Sequence, residues 1–311
     1  MEGVQVDFLR KLVDGEKALR IWLFASLICN MGIVVTGAVV RLTASGLGCS
    51  TWPKCTEESY VPHEASGIHG LIEFGNRTLT FVLIIAALGA FIAAWRNRGP
   101  RTKLWWITLG IGIGIPFQGV IGGVTVLTQL NPFVVALHLM LSVALIVICV
   151  WSLQVASGRP AIMVNARQRT AVIATFAACM LATWIGTVVT GSGPHAGDED
   201  AVRTGFQIEV VAKFHGLSAW LVVALTLVCL FLFRGLPQVR RMMGTLLLVV
   251  LAQGAIGYIQ YFLGVPALIV AMHMVGLTVL TAVAARPLVT TARSTHVDQS
   301  GADASTALHA S

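Results

Sequence analysis

Pro132-Phe-Val-Val-Ala-Leu-His138-Leu-Met-Leu-Ser-Val-Ala-Leu-Ile-Val-Ile-Cys149-Val-Trp151-Ser-Leu-Gln-Val155 runs for 24 residues without an Asp, Glu, Lys or Arg. A helix needs about 20 such residues to cross the hydrocarbon of a bilayer. The stretch therefore reads as a transmembrane helix that carries a histidine about two turns from its start. Seven comparable runs lie near 21–40, 71–95, 104–127, 170–190, 208–233, 243–263 and 266–285. Of the 311 residues, 56% are apolar and 11% charged, and the mean hydropathy is +0.81. So little polar surface does not solvate a water-soluble domain, whereas helices in lipid close their backbone hydrogen bonds internally. The expected fold class is all-α integral membrane, with eight transmembrane helices.

A formal charge of +7 and a pI near 9.4 do not point to nucleic acid, because the basic residues are spread over loops rather than gathered on one face. Arg10, Lys11, Lys17 and Arg20 precede the first run, and Arg96, Arg98, Arg101 and Lys103 join the second to the third. Arg159, Arg167 and Arg169 join the fourth to the fifth, Arg234, Arg240 and Arg241 the sixth to the seventh, and Arg286 and Arg293 end the last. That places 16 of the 21 basic residues on one side, which the positive-inside rule makes cytoplasmic. Both termini are then cytoplasmic. The first run is kept as a helix rather than a cleaved signal, since Asp7, Asp14 and Glu16 precede it. The tail 291–311 is small, polar and aperiodic, and is expected to be disordered.

The chain repeats itself. Gln118-Gly-Val-Ile-Gly122 matches Gln253-Gly-Ala-Ile-Gly257, and Ala136-Leu-His138 matches Ala271-Met-His273, both at an offset of 135. Val34-Val-Thr-Gly37 recurs as Val188-Val-Thr-Gly191. Four helices return the chain to its starting side, so the repeats should be parallel four-helix bundles related by an axis along the membrane normal. The expected division is 1–20 as a cytoplasmic segment, 21–155 as the first half, 156–169 as a linker, 170–290 as the second half and 291–311 as the tail.

Bundles hold cofactors between facing helices. His138 and His273 lie at equivalent depths, and Lys213-Phe-His215-Gly-Leu-Ser near the outer end of the sixth run lets His215 approach His273. Two facing histidines suit a six-coordinate haem. The plainer reading has each histidine bonding a carbonyl between helices. Zinc is disfavoured, because three or four ligands do not cluster. The second run opens Ile68-His69-Gly-Leu-Ile-Glu73-Phe-Gly-Asn76-Arg77, which puts His69, Glu73 and Asn76 on one helical face and makes Glu73 and Arg77 neighbours. Glu73 is either half of an interfacial ion pair or a functional carboxylate at the membrane edge. Cys29, Cys149, Cys179 and Cys229 lie in apolar runs and behave as small apolar residues. Cys49 and Cys55 share an outer loop, Gly46-Leu-Gly-Cys-Ser-Thr-Trp-Pro-Lys-Cys55, and are expected to pair, with a redox role as the sharper alternative.

Gly37-Ala-Val-Val-Arg41-Leu-Thr-Ala-Ser-Gly46-Leu, Glu73-x-x-Asn76-Arg77 and histidines in the fourth, sixth and eighth helices together resemble the haem A synthases, a cytochrome oxidase assembly family of eight-helix membrane proteins. The resemblance implies oxidation of the C8 methyl of haem O to a formyl group, by successive hydroxylations with water-derived oxygen. It implies a resident haem b between His215 and His273, and a first half that binds the haem O substrate through His138 and uses Glu73 as the catalytic group. Glu73 then acts as acid, as base, or as stabiliser of developing positive charge. Arg77 and Arg41 either meet haem propionates or anchor the interface. The resemblance also implies a bacterial plasma membrane and handover from haem O synthase, the prenyltransferase that makes the substrate; a homo-oligomer is left open. The family usually shows Glu-x-x-His-Arg where this chain has Asn76, so either His138 ligates the substrate iron alone or His69 serves as the second ligand, which is the preferred reading. The loop 190–200 lacks the cysteine pair of some relatives. A competing class is a bis-histidine haem electron-transfer protein, quinol-linked and cytochrome b-like, which has no use for Glu73. A secondary transporter would place its polar groups at mid-membrane, and here they crowd the outer third.

Overall fold

A computed structural model describes residues 13–97 and 102–294. Among them, eight helices are long and apolar enough to cross a membrane: α1 Gly15–Leu42, α2 Gly67–Arg96, α3 Thr102–Leu127, α4 Pro132–Ala156, α5 Ala166–Ser192, α6 Ile208–Leu232, α7 Pro237–Phe262 and α8 Ala267–Thr290. The chain is a multi-pass membrane protein. The helices follow the apolar runs and mostly outlast them at the ends, where polar caps continue the hydrogen bonding. Asn131 accepts the N–H of Phe133 ahead of Pro132, and Asn165 forms a reciprocal capping pair with Gln168.

Packing groups the helices in chain order. α1 packs on α2 and α4, and α3 on the same two helices; α5 to α8 close a second ring in the same way. The rings touch where α1 and α4 meet α8 and where α4 meets α5. Without a hydrophobic drive between helices in lipid, close approach depends on small residues. Ala86, Ala87, Ala90, Ala93 and Ala94 are accordingly buried on α2, and a side chain at Gly89 would overlap the indole of Trp22 on α1.

The turns that open α4 and α8 share one conformation. Leu130 and Val265 have φ of 57° and 62°, and each donates its N–H five residues back, Leu130 to Thr125 O at 2.8 Å and Val265 to Gln260 O at 2.7 Å. The turns stand 135 residues apart, the offset of the sequence matches. A β-branched residue is disfavoured at positive φ, so closing this turn outweighs that cost.

One element departs from expectation. Ile162–Val164 (β1) and Thr291–Arg293 (β2) pair in parallel, in the register Ile162 to Thr291. Arg169 secures β2 by donating from Nη1 to Leu288 O at 2.8 Å, Thr291 O at 2.9 Å and Thr291 Oγ1 at 2.8 Å. The tail expected to be disordered from 291 is therefore ordered through Ser294, because a guanidinium and a strand edge take up its backbone groups. The remainder of that tail, 295–311, and the basic residues Arg10, Lys11, Arg98 and Arg101 lie outside the described residues.

Candidate functional site

The second bundle brings two of the expected histidines face to face. His215 on α6 and His273 on α8 have ring centres 6.3 Å apart and ring planes at 82°. His215 Nδ1 lies 3.0 Å from Ala182 O on α5. A carbonyl only accepts, so this bond assigns the proton to Nδ1 and leaves the Nε2 lone pair free. Gly186 makes room for the ring: a Cβ there would stand 3.1 Å from His215 Cε1. Gly257 lies under His273 likewise, at 3.7 Å from Cε1. Among the described residues, His273 Nδ1 and Gln260 Oε1 are buried without a hydrogen-bond partner. Buried polar atoms are nearly always bonded, and an orphan asks for an occupant or an ordered water.

The first bundle repeats half of this arrangement. His138 on α4 lies over Gly122 of α3, whose Cβ would stand 3.4 Å from His138 Cε1, and His138 Nδ1 is again buried and, among the described residues, unpartnered. Gln118 donates from Nε2 to His138 O at 3.1 Å and to Ser142 Oγ at 2.7 Å, while its Oε1 has no partner. Ser142 also donates to His138 O at 3.0 Å, so the backbone beneath the imidazole is fixed from two sides.

At one end of this bundle the loop 43–66 folds onto α2 and α3. Cys49 and Cys55 sulfurs are 2.03 Å apart, and a side chain at Gly123, next to the glycine under His138, would overlap Trp52. Glu73, 5% exposed, accepts the Cys49 N–H at 2.6 Å on Oε2. On Oε1 it accepts from Arg77, 2.5 Å from Nη2 and 3.1 Å from Nε. Arg77 gives its other N–H groups to Thr51 O, Lys54 O and Cys49 O at 3.0, 3.2 and 3.2 Å. A guanidinium has five N–H groups, and all five are engaged within the protein, which leaves none for a propionate in this arrangement. The pair is no solvent-exposed interfacial bridge; burial under the loop makes it a clamp.

The other α2 residues part company. His69 is exposed and meets Ser45 Oγ through Nδ1 at 2.9 Å, whereas Asn76 Oδ1 accepts from Thr36 on α1 at 2.7 Å. Arg41 turns toward the loop 193–207, donating to His195 O and, at 2.8 Å, to Thr190 O. His195 Nε2 in turn donates to Val265 O at 2.9 Å, so a cap layer links the two bundles. Sequence reading missed Gln118, Gly122, Gly186, Gly257 and Trp52 as site residues. A signal existed for Gln118, Gly122 and Gly257, which stand in the repeated pentapeptide, but Gly186 and Trp52 acquire their roles through contacts distant in sequence.

The family model for "Cytochrome oxidase assembly protein" matches residues 20–285. A protein named heme A synthase from Listeria monocytogenes is 24% identical over 286 residues, 86% of this chain and 93% of that protein. Another of that name, from Geobacillus kaustophilus, is 29% identical over 126 residues, 40% of this chain and 38% of that protein. A protein named protoheme IX farnesyltransferase from Halobacterium salinarum is 28% identical over 130 residues, 40% of this chain and 28% of that protein. The chain thus aligns with about a third of the length of the latter two.

Proposed function

The chain belongs to the cytochrome oxidase assembly protein family, and from that membership we propose that it is an oxidoreductase converting haem O to haem A, by oxidising the C8 methyl to a formyl group through successive hydroxylations with water-derived oxygen. The observation that carries this reading is the pair His215 and His273. Their 6.3 Å separation exceeds direct hydrogen bonding and has the size that one interposed metal atom needs, with a bond of about 2 Å to each ring. The Nδ1–Ala182 O bond of His215, the glycines beneath both rings and the apolar bundle suit two imidazoles that would hold haem b. Bound there, haem supplies the electron-transfer chemistry.

The halves 21–155 and 170–290 divide the labour. In the first, His138 holds the iron of the haem substrate, with Gln118 and Ser142 fixing its backbone. Glu73 is held by the Cys49 N–H and by Arg77, so its carboxylate has one position and one orientation, from which it takes a proton or stabilises positive charge developing at the substrate methyl. Arg77 acts through Glu73 and the loop rather than on the propionates, and Asn76 borders the site from α2. The positive-inside count puts both termini on the cytoplasmic side of a bacterial plasma membrane, with these groups near its outer surface. The farnesylated substrate is too apolar to cross water, and the partial likeness to a protein named for a protoheme farnesyltransferase supports direct handover from such an enzyme.

Purified protein, extracted and chromatographed, is expected to yield protohaem together with haem O or haem A. Recovery of no haem at all would overturn the reading. The Cys49–Cys55 bond carries a separate expectation, since the clamp holds carbonyls on both sides of it. Mass mapping without reductant should return the two cysteines cross-linked, and free alkylation of both in fresh membranes would count against a standing disulfide.

A further inference from the structure

Resting on the function proposed above, we infer that the first bundle binds the iron of its haem through His138 alone, with no protein ligand on the opposite face. The second bundle supplies the comparison. α1 and α5 share Val34-Val-Thr-Gly37 and Val188-Val-Thr-Gly191, so Gly32 corresponds to Gly186 and Thr36 to Thr190. His215 lies against α5 at Ala182 and Gly186, and there it faces His273. The place to look for its counterpart is therefore on α2, level with Gly32.

Neither candidate on α2 stands at that level. Asn76 is bonded to Thr36, about one turn further out. His69 precedes Asn76 by seven residues, roughly another 10 Å outward at the rise of a helix. It meets Ser45, which lies beyond the end of α1 at Leu42. The backbone keeps it there, because the carbonyl of His69 sits so close to Gly48 that any side chain at 48 would overlap it. His69 thus belongs to the loop layer, roughly three turns out from the level His215 takes, a gap no imidazole spans.

His138, by contrast, keeps the level of His273. Each lies eight residues beyond the positive-φ residue of its turn, Leu130 or Val265, over a glycine and with an unpartnered Nδ1. The resident haem is then saturated by two imidazoles, while the iron of the substrate keeps one axial position open to a small exogenous ligand.

The test uses the full chain loaded with ferric protohaem to two equivalents and read by electron paramagnetic resonance and optical spectra. One low-spin and one high-spin component are expected. Added imidazole should convert the high-spin component to low-spin, His69→Ala should leave both unchanged, and His138→Gly should lose the high-spin component and regain a second haem only when imidazole fills the space, then as a low-spin species. Two low-spin components indifferent to imidazole, with one turning high-spin in His69→Ala, would overturn the single-ligand assignment while leaving the proposed function intact. Retention of no haem in either bundle would overturn both.

Discussion

Glu73→Gln is expected to lower haem A formation on the order of 10²-fold or more, the usual worth of a positioned acid or base, while substrate haem remains bound. Glutamine keeps the size of the side chain and removes its charge. It also turns an N–H₂ group toward either the Cys49 N–H or Arg77, which both donate. One buried donor then loses its acceptor, at a cost of about 1–3 kcal/mol. An exposed ion pair would lose only about 0–1 kcal/mol, but Glu73 is buried beneath the loop, so both stability and chemistry should fall. Arg77→Lys separates them, because it gives up most of the bonds to the loop carbonyls and leaves the carboxylate in place. If chemistry resides in Glu73, the Arg77→Lys protein keeps measurable haem A production at equal protein level and the Glu73→Gln protein does not. Wild-type yield from Glu73→Gln would remove Glu73 from the mechanism, and equal losses in both variants would assign its effect to the loop.

His215→Ala and His273→Ala are each expected to abolish the low-spin spectrum of the resident haem. Each removes one of two facing imidazoles whose ring centres are 6.3 Å apart, and a single ligand leaves the iron five-coordinate. Gly186→Ala should act more gently, since its new Cβ would meet His215 Cε1 at 3.1 Å and the ring must shift by a few tenths of an ångström. A moved but still low-spin spectrum is expected there. Optical spectra of the purified variants decide it, and an unchanged low-spin spectrum in both alanine variants would remove the pair as ligands.

The helices were legible because 20-residue apolar runs have one solution in lipid, and the structure adds only their capped ends. The equivalent depth of His138 and His273 was legible because the repeat keeps helical phase, and His215 was legible from its place near the end of the sixth apolar run. Glu73 and Arg77 could be seen as neighbours four residues apart, yet what they do could not. The clamp on Cys49, Thr51 and Lys54 is made with backbone groups some 24 residues away, and backbone groups leave no mark in composition. His69 shows the same limit: helical phase puts it on the face of Glu73 and Asn76, whereas its contacts are with Ser45 and Gly48, which helical phase does not reveal. The pairing of β1 with β2 was invisible because three-residue strands carry no period.

That pairing bears on how the protein is made. β1 leaves the ribosome between α4 and α5, whereas its partner strand follows α8, so the edge of β1 stays open until synthesis of the last helix is complete. Arg169 is in the same position, holding the carbonyls of Leu288 and Thr291, groups that do not exist when α5 is inserted. The β1–β2 pairing therefore forms only after α8 has been made, and a chain stopped before residue 291 lacks it.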